Sequence, residues 1–291
     1  MVNEPDDKAP LFAPAGHFYS PVTHQRAVRK YLGSEHYQRQ IAHTDALIDL
    51  GAMAALWHQF QSDIIGFPFE PADGFRYYGR NNQFEYYDAS ILSGLLAAFN
   101  PRQIIEIGAG FSSAAIFDTV DRMKGARLER FTTIDPDLSR IRMLSPPPSA
   151  ELIAKEVQSI PLERFGELER DDVLFIDSSH VMKTGSDVHY EYLHILPRLQ
   201  PGVIVHIHDI FYPLDYPRRW SAKENRSWNE VYTVDLMLTY GRAFEILFFN
   251  DAFLTKVAGS VRKDGDMFDR FESFPHRATH RINGSLWLRK L

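Results

Sequence analysis

Short apolar runs alternate with helical patterns between residues 103 and 208, and this alternation constrains the fold more than any other feature of the chain. Each run has the composition of a buried strand and is followed by a turn or an amphipathic segment. The predicted strands are 103–107, 130–134, 151–157, 172–176 and 202–208, with further candidates at 244–249 and 284–290. Such alternation predicts a mainly parallel α/β sheet with helices on both faces.

Composition excludes several classes of function. The 291 residues are 44% hydrophobic, which suffices for one large domain or a domain with an extension. The net charge is −6 and no basic tract is present, so neither nucleic acid nor a membrane surface is an expected partner. The absence of cysteine excludes thiol catalysis and disulfides. The acidic N-terminal sequence lacks an apolar signal segment, and a cytoplasmic protein is expected.

The sequence pattern of the first hundred residues differs from that of the rest of the chain. Residues 1–100 combine helical patterns with an aromatic, turn-rich stretch and are predicted to form a mainly helical extension; Asp88 is interpreted as the cap of its last helix. Residues 101–291 are predicted to form the catalytic domain. We expect the extension to cover the carboxyl edge of the sheet, with 211–220 as a second wall. The weak substrate-site candidates are His17, Tyr19, Tyr78 and Tyr212.

Because ligands of such sheets bind at the carboxyl ends of the strands, the residues that follow each strand are informative. The first strand is followed by "GAGFSS", in which Gly108 and Gly110 allow a tight turn and a close approach to a ligand. Ser113 stands where a dinucleotide fingerprint requires a third glycine. Asp135 follows the second strand and can accept the hydroxyls of a ribose, although it or Asp137 could equally cap a helix. Together these features favour an adenosine-containing ligand.

A second group of polar residues follows the fourth and fifth strands. Asp177 and His180 come after one, and His208 and Asp209 after the other, so that neighbouring strand tips should bring all four into one pocket. Two carboxylates and an imidazole suit a divalent cation, which makes Asp177, His208 and Asp209 candidate metal ligands. A free imidazole can serve as a general base. A loop cap at Asp177 and a hydrogen-bonding role for His208 remain the alternatives, and His206, deeper in the strand, is interpreted as a supporting residue.

Four motifs resemble those of class I S-adenosylmethionine-dependent methyltransferases, and most closely a bacterial small-molecule subfamily called methyltransferase domain 24. They are "IIEIGAGFSS", "TTIDPD", "LFIDSSHV" and "LQPGVIVHIHDIFYP". Features of the same subfamily also appear in "GHFYSP", "DASIL", "GSDV" and "WNE", so the resemblance covers about residues 16–250.

The resemblance implies a Rossmann-like seven-stranded sheet whose final strand is reversed, and it assigns roles. Asp135 would hold the ribose, Gln158 would lie near the adenine, and Asp177 would stand between cofactor and substrate. The turn after the first strand would border the methionine part of the cofactor through Glu106, Gly108, Gly110, Ser112 and Ser113.

One departure from the family pattern concerns the metal. Metal-dependent members carry two acids, or an acid and an amide, after the fifth strand, where this chain has His208 and Asp209. The second acid that some relatives use as a base falls at Ser179, which makes His180 the better candidate. The catalytic residues predicted by this comparison are therefore His180, Asp177 and His208.

These observations predict an enzyme that transfers a methyl group from S-adenosylmethionine to a hydroxyl of a small metabolite, assisted by a divalent cation such as Mg, Mn or Fe. Three alternatives stay open. They are a metal-free methyltransferase that uses a histidine base on oxygen, nitrogen or carbon, a non-catalytic protein that binds an adenosyl ligand, and a metal-dependent enzyme of another kind. A homo-oligomer is also open.

Overall fold

The computed structural model describes residues 12–263, 265–274 and 284–291. Within these ranges seven strands form one sheet in the order β3-β2-β1-β4-β5-β7-β6. The strands are β1 Gln103–Ile107, β2 Arg130–Ile134, β3 Ala150–Ile153, β4 Val173–Ile176, β5 Ile204–Ile207, β6 Phe244–Phe249 and β7 Leu286–Lys290. β7 is antiparallel to both of its neighbours, while β1 to β5 pair in parallel. The predicted α/β sheet with a reversed final strand is confirmed.

The central strands are buried on both faces. Every residue of β4 and β5 is buried, and successive side chains of a strand point to opposite faces of the sheet. Both faces are therefore covered, as their continuous apolar sequences predict. The strand order reverses between β1 and β4, and at such a point the loops after the strands open a crevice.

The helices lie between the strands and in the N-terminal region. They are α1 Gln25–Leu32, α2 Glu35–Leu47, α3 Leu50–Phe60, α4 Tyr86–Phe99, α5 Phe111–Arg122, α6 Ser139–Met143, α7 Glu163–Gly166, α8 Asp187–Tyr190, α9 Glu230–Tyr240, α10 Asn250–Lys256, α11 Ala258–Val261 and α12 Met267–Glu272. π-helical turns follow α8 at Glu191–Ile195 and precede α9 at Trp220–Glu224. None of the helices in the described ranges is long and apolar enough to cross a membrane.

The N-terminal helices pack on the sheet. Trp57 of α3 lies 4.9 Å from Phe253 between ring centroids, and Phe60 lies 5.5 Å from Phe248 of β6. α4 is buried along most of its length and packs against α5. The N-terminal region is mainly helical as predicted; the division into an extension and a catalytic domain at residue 100 stays a prediction.

Candidate active site

The tips of β1 and β4 meet at Gly108. Its φ angle is +88°, and a Cβ placed there would lie only 2.1 Å from the carbonyl oxygen of Asp177. The Asp177 amide in turn donates to the carbonyl of Ile107 at 2.9 Å. Only glycine has both the conformation and the room for this contact. The turn after β1 is therefore pressed against the residue that begins the loop after β4.

Glu106 supports this turn from below. Its side chain is fully buried, and its two oxygens accept hydrogen bonds from Ser112 at 2.8 Å and Ser113 at 2.5 Å. Burial raises the pKa of Glu106 to about 8. Glu106, Ser112 and Ser113 are thus hydrogen-bonded to one another beneath the turn. Their contact with a cofactor stays a prediction.

Asp135 and Gln158 stand at the next two strand tips. Asp135 accepts hydrogen bonds from the amides of Ala109 at 2.9 Å and Asp137 at 2.7 Å, so it also shapes the turn after β1. Gln158 donates to the carbonyl of Gly185 at 3.0 Å. Both side chains are only partly buried. They lie at the carboxyl edge of the sheet, and their predicted contacts with a ribose and an adenine stay predictions.

A polar cavity of about 710 Å³ opens beside Asp177. We call it the polar cavity. Its lining includes all four residues predicted from the fourth and fifth strand tips, together with side chains from the N-terminal region and three arginines. The lining residues are Asn82, Gln83, Glu85, Asp88, Arg140, Asp177, His180, His208, Asp209, Arg219, Trp220, Arg226, Trp228 and Gly284.

His180 lies at the centre of the charged groups. Its Nε2 is 3.5 Å from Asp177 Oδ1 and 3.4 Å from Asp209 Oδ2, and its Nδ1 is 2.9 Å from Glu230 Oε2. Burial alone would lower the pKa of His180, but Asp177, Glu230 and Asp209 raise it well above its ordinary value. Both ring nitrogens thus face carboxylates, an arrangement that favours the protonated ring. The assignment of His180 as the general base stays a prediction.

The two carboxylates in the cavity differ. Burial would raise the pKa of Asp177, but His208 and His180 lower it to about 2, so Asp177 stays ionised. Burial raises the pKa of Asp209 even though His208 and His180 oppose the rise. Asp177 is the more open of the two, with 31% of its side chain exposed against 14% for Asp209. Asp209 and His180 both have positive φ angles, which is uncommon outside glycine.

His208 and His206 have separate surroundings. Nε2 of His208 is 3.7 Å from Asp209 Oδ1, and its buried Nδ1 has no hydrogen-bond partner among the described residues. The pKa of His208 is raised because nearby acids outweigh burial. His206 is fully buried, stacks on Phe175 with ring centroids 3.7 Å apart, and contacts Ser285 at 2.9 Å. Its surroundings match the supporting role expected for it.

Three carboxylates in or next to the polar cavity escaped the strand-tip reasoning. Glu85 and Asp88 come from the start of α4, and burial raises their pKa values to about 7 and about 6. Asp88 is not a simple helix cap: it lies inside the first turn and accepts from Asn250 at 2.7 Å. Glu230 opens α9 and is fully buried against His180. In the sequence these acids stand among apolar helix residues. That placement could have pointed to them, because a buried charge requires a partner.

The four weak substrate candidates lie outside the polar cavity. Tyr78 packs edge-on against Phe111 with ring centroids 5.1 Å apart. The Tyr212 hydroxyl donates to Asp45 at 2.7 Å, which turns it towards α2. His17 and Tyr19 are exposed on the segment before α1. None of the four is among the residues that line the cavity around Asp177.

The donor types near Asp177 suit a divalent cation, but their arrangement does not fit one. The His180 ring stands between the carboxylates of Asp177 and Asp209, with its Nε2 3.5 Å from the first and 3.4 Å from the second. Within residues 12–263, 265–274 and 284–291, no three His, Asp or Glu side chains are grouped so that they could share an ion. The metal set of Asp177, His208 and Asp209 therefore stays a prediction from the sequence, without support from this geometry.

Comparison with known proteins identifies the central part of the chain. Residues 105–210 match the family model described as a methyltransferase domain. The matched residues begin within β1 and end just after β5. An uncharacterised protein of Archaeoglobus fulgidus is 29% identical over 177 residues, which cover 54% of this chain and 74% of that protein.

Solved structures with a remote likeness include two that carry cofactor or product. The Podospora anserina methyltransferase PaMTH1, bound to S-adenosylhomocysteine, covers 89% of this chain and 97% of its own at 14% identity, with a TM-score of 0.43. A structure titled "cmcI-D160 Mg-SAM" covers 72% of each chain at 16% identity, with a TM-score of 0.41.

Proposed function

We propose that the chain is a class I S-adenosylmethionine-dependent methyltransferase and that it methylates a hydroxyl oxygen of a small molecule bound in the polar cavity; the methyltransferase-domain match over residues 105–210 supports this. The observation that carries the proposal is the position of Asp177. Its backbone touches the Gly108 turn, where the cofactor would lie, and its side chain lines the cavity beside Asp209. One residue thus joins the cofactor side and the acceptor side.

The residues at the strand tips fit the cofactor. Gly108 leaves space that any side chain would fill, and Asp135 is the partly exposed acid at the end of β2. When bound, S-adenosylmethionine supplies a methyl group on a positively charged sulfur. Asp177 remains ionised at neutral pH and complements that charge across the cavity. Gly110, Gln158 and Asp135 complete the edge along which the adenosine is proposed to lie.

The proton of the acceptor is proposed to pass to Asp209. The acceptor oxygen forms a bond to the methyl carbon while the carbon–sulfur bond breaks and its electron pair stays on sulfur. Asp209 faces the cavity, and burial raises its pKa towards the range in which a carboxylate acts as a base. His180 and His208 flank Asp209 and hold its carboxylate in place. Glu230 fixes His180 through Nδ1.

The replacement Asp209→Asn tests this assignment. It keeps the shape of the side chain and removes the base, so kcat is expected to fall by roughly 10²–10⁴-fold. A mass-shift screen with S-adenosylmethionine and hydroxylated metabolites first supplies an acceptor, and calorimetry with S-adenosylhomocysteine then measures cofactor binding, which should not change. Asp45→Asn, at a half-exposed site away from the cavity, is the control. Full activity of Asp209→Asn would show that another group takes the proton.

A further inference from the structure

A second cavity lies directly behind the polar one. It measures about 310 Å³, close to the lower size limit of ligand pockets. We call it the aromatic cavity. Five aromatic side chains and one buried acid dominate its wall: Tyr31, Tyr216, Trp220, Trp228, Tyr232 and Asp215. Trp220, Arg226 and Trp228 line both cavities, so that one wall separates them.

The aromatic rings surround the space from several directions. Trp220 and Trp228 lie 5.3 Å apart between centroids at 76°, and Tyr216 lies 6.1 Å from Trp228 at 77°. Tyr216 and Tyr232 also meet edge to face, at 6.2 Å. Rings at such angles present both faces and edges to the cavity. The face of an aromatic ring attracts cations, and cages of this kind recognise organic ammonium groups.

Asp215 gives the cage a negative charge. Only 5% of the residue is exposed. Its Oδ1 accepts from the Tyr216 amide at 2.8 Å and from the Tyr232 hydroxyl at 2.9 Å, and the Tyr31 hydroxyl also hydrogen-bonds to the carboxylate. Burial raises the pKa of Asp215, although the hydroxyls of Tyr31 and Tyr232 oppose the rise. These partners are neutral, and no cationic side chain among the described residues pairs with Asp215. A buried carboxylate without a cation is costly, and a bound cation would remove that cost.

Arg226 is not the cation that pairs with Asp215. Its guanidinium stacks 3.7 Å above Trp220 and 4.8 Å from Trp228, and it pairs with Glu224 at 2.8 Å. Its charge is therefore balanced by Glu224, outside the cage. The charge of Asp215 is left for a ligand.

We propose that the aromatic cavity binds the ammonium group of an organic amine, and that this amine is the methyl acceptor, whose hydroxyl reaches the polar cavity past the shared wall. The link to the acceptor rests on the proposed function; ammonium binding does not. The amine would pair with the Asp215 carboxylate and lie against the faces of the surrounding rings.

Calorimetry on the full chain tests ammonium binding with a matched pair of probes. 2-Phenylethylamine and 2-phenylethanol have nearly the same shape and differ in charge. The amine is expected to bind at least about tenfold more tightly, because it gains a charged hydrogen bond and cation–π contacts. Asp215→Asn should remove that preference, while its amide oxygen can still accept from Tyr216 and Tyr232. Equal binding of the two probes to the wild type would overturn the proposal.

A second variant locates the probe independently of Asp215. Ala27 is an exposed residue of α1 that lines the aromatic cavity, so Ala27→Trp should fill the cavity and abolish binding of the amine. Ala42→Trp, at an exposed position of α2 that lines neither cavity, is the matched control and should bind normally. Unchanged amine binding by Ala27→Trp would place the probe elsewhere and overturn the proposal.

Turnover separates this proposal from the proposed function. For each acceptor found by the mass-shift screen, Asp215→Asn should raise KM for amines and leave binding of S-adenosylhomocysteine unchanged. Acceptors that all lack an amine would overturn the link while ammonium binding stands on calorimetry alone. If no compound is methylated, the proposed function fails, and the two phenylethyl probes still decide whether the cage binds ammonium.

Discussion

The polar cavity and the aromatic cavity share one wall and have opposite chemistry. The first gathers ionisable groups at the tips of β4 and β5, where four carboxylates and two imidazoles line a space of about 710 Å³. The second is less than half as large and holds one carboxylate within a set of rings. Trp220, Arg226 and Trp228 belong to both. Under the proposed function, one acceptor molecule would place its ammonium group in the aromatic cavity and lose the proton of its hydroxyl in the polar cavity.

The two cavities are built on different kinds of structural element. The polar cavity is built on strand ends whose positions follow from the register of the sheet: Ile176 pairs with Ile207, so Asp177 and Asp209 follow at neighbouring tips. The aromatic cavity is built from α1 and from residues 215–232, segments that are about 190 residues apart in sequence. Its composition can vary without disturbing the sheet, which suits a surface that selects the substrate.

Gly108→Ala is expected to have the largest effect, and it should affect only the polar side. A Cβ would collide with the carbonyl oxygen of Asp177, and the φ angle of +88° would be strained as well. Binding of S-adenosylhomocysteine should weaken by at least about 100-fold, as a strain near 3 kcal/mol implies. Calorimetry measures this, and binding of 2-phenylethylamine should persist.

Gly125→Ala is the matched control for that variant. Gly125 also has a positive φ angle, +72°, but nothing lies within 4 Å of an added Cβ. It should bind the cofactor product normally. If both variants lose cofactor binding equally, backbone strain anywhere in this region would explain the loss, and the contact between Gly108 and Asp177 would not be the cause.

Glu106→Gln should change how the stability of the sheet depends on pH. The pKa of Glu106 is raised from 4.5 to about 8, so the folded state holds its proton more tightly than the unfolded state does. The stability that this group contributes is complete below pH 4.5 and is lost as the pH rises towards 8. The loss is on the order of 5 kcal/mol, since the shift is about 3.5 pKa units and each unit corresponds to about 1.4 kcal/mol.

Chemical denaturation between pH 5 and pH 8 measures this dependence. The glutamine variant should lose much of it, and Glu163→Gln, at an exposed position that begins α7, should retain it. A variant of Glu106 with the same pH slope as the wild type would contradict a buried, protonated carboxyl group beneath the turn.

The sequence predicts the sheet and the position of the polar cavity because both depend on local pattern. Apolar runs of period two mark the strands, and the polar residues after them must meet at one edge. The role of His180 could not be predicted in this way. Whether its ring accepts or donates depends on Glu230, which lies 50 residues away and approaches only when α9 packs behind the β4 loop.

The sequence predicts residues 211–220 as a second substrate wall, and Asp215, Tyr216 and Trp220 of this stretch line the aromatic cavity. Which side chains face the cavity could not be predicted: Tyr212, the candidate named from this stretch, turns towards α2. Alternation along a strand fixes which face a side chain takes, but no such period governs a loop. Tyrosine, tryptophan and aspartate in a loop are equally compatible with core packing and with a ligand cage.

Arg226→Met probes the shared wall itself. Methionine keeps an apolar side chain and removes the guanidinium that lies over Trp220. Binding of 2-phenylethylamine should become about three- to fivefold tighter, because a competing cation worth about 1 kcal/mol leaves the ring. Binding of S-adenosylhomocysteine should not change. Weaker binding of the amine would mean that Arg226 helps to shape the cage, and the wall would then belong more to the aromatic cavity than to the polar one.

The smallest expected effect is that of metal removal, and it bears on the chemistry of the polar cavity. The His180 ring lies between Asp177 and Asp209, and these acids raise its pKa well above the ordinary value, so the ring occupies the place where a cation would have to bind. Dialysis against EDTA should therefore leave turnover unchanged, and adding Mg, Mn or Fe(II) should not increase it. Asp209→Asn assayed under the same conditions should stay inactive with or without metal. Loss of activity in EDTA with recovery on adding one ion would show that the His180 ring yields its place, and Asp177 and Asp209 would then be ligands as their positions after β4 and β5 first suggested.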